Sequence, residues 1–147
     1  MKRNLASFVV CFGFVACLCA LMPKSLPDML PDAEQFWVYC RSSKLSAEQC
    51  GNGMVVKATA DNVGYAVFCS RNVDGITAKV SESLQSVASK LMLQVYSEQK
   101  LGNVTVVCGY SPVVSGGVLL DGKKVNVQIA QTPQGVFVGC PLILGSY

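Results

Sequence analysis

Cysteine is the residue type in this 147-residue chain with the most chemistry to offer, and its spacing sets limits on that chemistry. Of eight cysteines, Cys11, Cys17 and Cys19 fall inside an apolar N-terminal run, which leaves Cys40, Cys50, Cys69, Cys108 and Cys140. Five is an odd number, so they cannot all pair within one chain. Cys40 and Cys50 bracket a polar loop and form the one pair expected as a disulfide. Left free, either thiol gives the alternative of a thiol-based enzyme or redox protein, provided that its pKa is depressed. Cys69, Cys108 and Cys140 each fall on the apolar parity of an alternating stretch and read as small buried hydrophobes.

The other catalytic groups are thinly supplied. There is no histidine, which removes Ser-His-Asp and Cys-His nucleophilic sites, the usual general base near neutral pH, and every zinc site that uses imidazole. A cysteine-only zinc site needs close pairs, and the only such spacing, Cys17-x-Cys19, lies in the N-terminal run. The nine acids are scattered. Glu82 and Glu98 fall on the polar side of an expected helix and Asp121 in a turn, so each reads as solvated surface rather than half of a catalytic carboxylate pair. Gly51-Asn52-Gly53 lacks the third glycine of a phosphate loop and reads as a turn, as does Ser115-Gly116-Gly117. The expectation is a protein without catalytic residues, cofactor or metal: not an enzyme.

Compartment is set by residues 5–22, eighteen residues without a charge, behind Lys2 and Arg3. As a helix they would span about 27 Å, close to the ~30 Å of bilayer hydrocarbon. A basic start and an apolar stretch predict either a cleaved secretory signal, with Cys17, Cys19 and Ala20 as the small residues near the cut, or a retained anchor. Phe14-Val15-Ala16-Cys17 gives a lipoprotein reading as well. All three place the remainder on the extracytoplasmic face of the membrane, anchored or secreted. Without Lys2 and Arg3, ten basic and nine acidic residues remain. Lys123-Lys124 is the densest basic spot, so the basic stripe of a nucleic-acid binder is missing.

The domain expectation is residues 1–22 as signal or anchor, 23–34 as a proline-containing spacer, and 35–147 as a single α+β domain. A short strand is expected at 36–40, with a helix beginning at Asp32 as the competitor, and Phe36, Trp37 and Tyr39 are assigned to burial beneath a helix. A helical turn closed by Gly51 follows at 45–50, then strands at 54–60 and 64–70, the second with Tyr65, Val67 and Cys69 on one face. The clearest expected element is one long amphipathic helix over 78–100. Val80, Leu84, Val87, Ala88, Leu91 and Val95 recur at helical spacing, with Thr77 as cap and Gly102 as left-handed stop. Strands follow at 104–110, 117–120, 123–131 and 135–144, with Asp121-Gly122 as a two-residue hairpin turn. Val125, Val127 and Ile129 alternate with Lys124, Asn126 and Gln128, which predicts one buried and one wet face. The last strand is apolar on both faces and is expected to be central, with Pro141 as the exception. The fold class is therefore α+β: one long helix packed on a mainly antiparallel sheet, behind an N-terminal apolar helix.

Three motifs near the carboxyl end carry a family resemblance. They are Gly109-Tyr110-Ser111-Pro112, the strand Gly122-Lys-Lys-Val-Asn126-Val-Gln128-Ile-Ala130, and Gly139-Cys-Pro141 running on to Tyr147. In this order they resemble the end of the YwmB-like family of extracytoplasmic bacterial proteins, over about the last forty residues. Cys140 stands where threonine is usual, Ser146 where an acid is usual, and Gln131-Thr132 where Arg-Tyr is expected. The resemblance implies an α+β domain behind a signal or anchor, without a settled activity. The family's "TATA-box binding" label reflects fold similarity, and fold does not fix function. The leading expectation is a non-catalytic domain that binds an envelope protein or cell-wall component, with open sheet edges able to accept a partner strand. Nucleic-acid binding through a saddle-shaped sheet is the remaining alternative.

Overall fold

The computed structural model describes residues 22–145. The expected N-terminal helix over 5–22 lies, except for Met22, outside the described residues, as does Tyr147. Among the described residues no helix is long and apolar enough to cross a membrane.

The chain is dominated by strands. β1 (Gln35–Ser43), β2 (Glu48–Cys50), β3 (Gly53–Ala58), β4 (Ser70–Val80), β5 (Gln94–Leu101), β6 (Val104–Tyr110), β9 (Val127–Thr132) and β10 (Gly135–Cys140) form one sheet in the order β2-β3-β1-β4-β10-β9-β6-β5. Every pairing in that sheet is antiparallel. β7 (Val118–Leu120) and β8 (Lys123–Val125) make a separate hairpin. Among the described residues three short helices complete it: α1 (Leu26–Met29), α2 (Val63–Cys69) and α3 (Leu84–Lys90).

Strand alternation divides the sheet into two faces with different fates. Phe36 and Val38 of β1, Ala78 of β4, Val138 of β10, Ile129 of β9 and Val107 of β6 share one face through their register. All are buried, and they form one core with Leu26 and Leu30 of the α1 region, Val63 and Ala66 of α2, and Leu84, Val87 and Leu91 of α3. All three helices therefore cover the same face. Trp37, Tyr39, Thr77, Phe137, Gln128 and Cys108 point the other way. Phe36 is thus the one ring of its trio beneath helices, while Trp37 and Tyr39 are half-buried on the helix-free face, Trp37 against Phe137 with ring centroids 6.1 Å apart.

The long helix expected over 78–100 is not present, and this overturns the fold class as read from sequence. Residues 78–80 end β4, only seven residues form α3, and β5 begins at Gln94. The helical spacing of Val80, Leu84, Val87 and Leu91 is real, and all four are buried. Val80, however, reaches the core from a strand. The start of α3 is set by Ser83, whose Oγ accepts a hydrogen bond from Ser86 N, and not by Thr77, which sits in β4. Its end is set by Met92 at φ 49°, a left-handed residue other than glycine. Beyond it Gln94–Leu101 is almost wholly exposed, as an edge strand tolerates and a packed helix does not. Gly102 is left-handed as expected, at φ 61°, but it turns β5 into β6.

Two smaller corrections have similar causes. The expected strand at 64–70 is α2, because its buried positions are Val63 and Ala66 at helical spacing, leaving Tyr65 and Phe68 in solvent. In place of the expected helical turn at 45–50, residues 48–50 form β2, with Gly51 as its hairpin glycine at φ 58°. The segment at 23–34, read as a spacer, is folded onto the domain. Leu26 and Leu30 are each 1% exposed, and Lys24 is bridged to Val114 in parallel. Asp121 and Gly122 do form the hairpin turn, at φ 50° and 76°. β10 is central, between β4 and β9, and stops at Cys140 before Pro141, so the proline costs no ladder bond.

A candidate binding cleft on the helix-free face

Two overlays lie on the helix-free face, and the residues of the three C-terminal motifs hold both. These motifs fall on β6, β9 and β10, which are adjacent in the sheet. The first overlay is the tail beyond β10. The chain reverses at Cys140–Pro141, joined by a cis peptide, and passes back over the sheet. A side chain on Gly139 would collide with the backbone of Leu142 and Ile143. One strand over, Leu144 lies 3.0 Å from where a Cβ on Gly75 would sit, and beyond that Gly145 abuts the Tyr39 hydroxyl. The tail thus crosses β10, β4 and β1 in turn. Gln128 ties it down: its Oε1 accepts from Ile143 N at 2.9 Å, while its Nε2 donates to Cys108 Sγ at 3.3 Å.

The second overlay is the β7–β8 hairpin. Its approach from β6 is fastened by Asn126, which is fully buried. Asn126 Oδ1 accepts from Ser111 N at 2.7 Å, and its Nδ2 donates to Ser111 O at 2.8 Å and to Val114 O at 2.7 Å. Both ends of the amide are therefore used on backbone groups that would otherwise be buried unpaired. Ser111, also fully buried, donates its hydroxyl to Leu91 O at 2.6 Å, closing the end of α3. The hairpin's two lysines rest on rings, Lys123 Nζ 5.3 Å from the Tyr96 centroid and Lys124 Nζ 5.6 Å from that of Tyr110. Cation–π contacts of this exposed kind contribute about 0.5–1 kcal/mol each.

Between hairpin and sheet lies a cleft of about 360 Å³. β5 supplies Tyr96 and Gln99, β6 supplies Cys108, β9 supplies Gln128, and the hairpin supplies Asp121 and Lys123. Val106, Leu120 and Val125 make its apolar part. A register shift in β5 between Val95 and Ser97 aims Tyr96 at the cleft, and Gly109 permits it, because a side chain there would strike Gln94 O. The cleft thus offers a ring, two carboxamides, one ammonium and one carboxylate around a narrow apolar floor. That mixture suits a polar chain with its own donors and acceptors.

Of the remaining motif positions, Ala130 is fully buried and opposes Val106 and Phe137 in the register, Tyr110 lies under Lys124, and Pro112 is exposed in the β6–β7 connection. Cys40 and Cys50 are not brought together. β3 lies between their strands, Cys40 is buried in the core and Cys50 is exposed, and both are free thiols. Strands two apart stand about 10 Å from one another, beyond disulfide reach. Cys69 ends α2 rather than lying in a strand, and Cys108 faces the cleft. Cys140 donates to Ser115 O at 3.6 Å, and burial pushes its thiol up to about 11, so it stays protonated well above neutral pH. Burial and the neighbouring Cys50 raise the Tyr39 phenol above its ordinary value. Thr77, between Trp37 and Gly139 in the register, keeps its hydroxyl buried without a hydrogen-bond partner. No group of three or more acids and cysteines that could hold a metal ion occurs among the described residues.

The motif residues are visible in the sequence, and the cleft is not. Alternation places Asn126 and Gln128 on a wet strand face, whereas one is fully buried and the other is an anchor for two partners. The available signal was that Asn126 interrupts a β-rich run, and the structure splits the expected strand into β8 and β9 at that residue.

No family model, curated protein or solved structure matches this chain.

Proposed function

We propose that this chain is a non-catalytic binding module of the bacterial cell envelope, displayed on the extracytoplasmic side by residues 5–22, which takes a polar segment of a cell-wall component in the cleft between the hairpin and the sheet. The observation that carries this reading is the cleft itself. The buried Asn126 amide and Ser111 hydroxyl and the half-buried Gln128 amide fasten its two overlays, while its lining presents recognition groups and a single carboxylate, Asp121. Two further observations favour a binding role for this lining: the chain has no histidine, and the Gln128 amide donates to the Cys108 sulfur. The resemblance of the three motifs to the YwmB-like family supports the envelope setting. The overlays also favour a cleft ligand over DNA, because a saddle-shaped sheet must offer its open face to the duplex and here the tail and hairpin occupy that face.

Calorimetric titration with soluble muropeptides tests this. The wild-type chain is expected to bind, and Tyr96→Ala to weaken binding about tenfold, near 1.4 kcal/mol, by removing the stacking surface. Absence of heat at millimolar muropeptide, or equal affinity in the variant, would remove the cleft from consideration.

A further inference from the structure

The geometry points to β5 as a strand that pairs with β5 of a second copy of this chain, joining two sheets edge to edge. Among the described residues β5 is the terminal strand of the sheet and is hydrogen-bonded to β6 alone, which leaves one row of its backbone donors and acceptors unpaired there. All of its residues except Tyr96 are exposed. Exposed large apolar side chains gather on this flank: Met92 before the strand, Val95 and Leu101 within it, Leu119 and Leu120 on the neighbouring hairpin. A long edge with apolar residues in solvent is ordinarily blocked or covered.

Charge identifies the occupant. Glu98 and Lys100 oppose Val107 and Thr105 of β6, so both project from the same face of β5. Neither has an ion-pair partner among the described residues, where Glu48, Glu34 and Glu82 take Lys57, Lys79 and Lys90. A lone lysine on an edge repels a second copy, but Glu-x-Lys on one face is its own complement in an antiparallel pair. With the two-fold axis through Gln99, Glu98 of each copy stands opposite Lys100 of the other, twice over, and Ser97 opposite Leu101. Directly opposed pairs of opposite charge stabilise such a ladder and fix its register. Gln99 also lines the cleft, so pairing sets the two clefts side by side on one continuous floor.

The test uses the full-length chain in mild detergent. Gln99→Cys places two thiols on the two-fold axis, and copper-phenanthroline oxidation is expected to yield a disulfide-linked dimer on a non-reducing gel. Gln134→Cys, at the exposed β9–β10 turn, should give none above the background of the native cysteines. By sedimentation, Lys100→Glu should weaken the dimer at least tenfold by opposing four carboxylates, and the swap Glu98→Lys with Lys100→Glu should restore it. A monomer at 100 µM, equal cross-linking at residue 134, or a dimer indifferent to both charge variants would overturn the proposal. None of these outcomes depends on muropeptide binding, so the cleft reading stands or falls separately.

Discussion

Asn126→Asp is expected to lower thermal stability by about 15 °C at neutral pH, although it changes one heavy atom. The carboxylate can still accept from Ser111 N, but Ser111 O and Val114 O lose their donor and face a negative charge at 2.8 and 2.7 Å. Two buried carbonyls left unpaired cost about 1–3 kcal/mol each, and the buried charge adds several more. A domain of this size is stable by only about 5–15 kcal/mol, so the single substitution removes a large share of the total. The pH dependence has a definite sign. Such a site raises the folded-state pKa above the unfolded value of about 3.9, so stability is highest below that value and is lost as pH rises through the folded-state pKa. Calorimetric melts at pH 7 and pH 4 check both parts. The variant should recover toward wild type in acid, and an equal melting temperature at pH 7 would mean that Asn126 is not the fastening of the β6–β7 connection.

Gly139→Ala is the second large effect, expected to destabilise by about 3 kcal/mol. The added methyl meets backbone atoms of Leu142 and Ile143, which no side-chain rotation can clear, so the tail must lift. Lifting it breaks the bond from Ile143 N to Gln128 and uncovers the face around Thr77. Overpacking of this kind costs about 1–3 kcal/mol even where neighbours relax, and a displaced segment adds its lost contacts. Gly64→Ala supplies the contrast. Gly64 lies in α2 with nothing within 4 Å of the added methyl, so the same chemical change should stabilise by about 0.5–1 kcal/mol. Urea unfolding of the pair should give opposite signs, and matching signs would contradict the placement of the tail.

The parts of this architecture that were legible in the sequence are those fixed by neighbouring residues. β3 follows from alternation of apolar and polar residues, β1 from its aromatic and β-branched content, β10 from an apolar run bounded by turn residues, and the Asp121-Gly122 turn from the tolerance of those two residues for positive φ. What was not legible depends on partners distant in the chain. Val80, Leu84, Val87 and Leu91 look like one helix because all four face one core, and nothing local reveals that the first arrives from a strand. The break after α3 rests on Met92 in a left-handed conformation, which its residue type does not announce. Tyr65 and Cys69 of α2 mimic strand alternation until the burial of Val63 and Ala66 is known. The motif residues Asn126, Gln128 and Gly139 were visible as a set. Their roles come from backbone contacts across the fold: Asn126 and Gln128 each reach a partner 15 positions along the chain.

Residue-resolved hydrogen exchange tests most directly whether the motif residues fasten two overlays onto the helix-free face. The amides of Ser111 and Ile143, both outside the strand ladders, should exchange as slowly as core amides of β9, with Gln128→Ala releasing Ile143 but not Ser111. Exchange of both amides in the wild-type chain as fast as that of exposed Gly116 would contradict it.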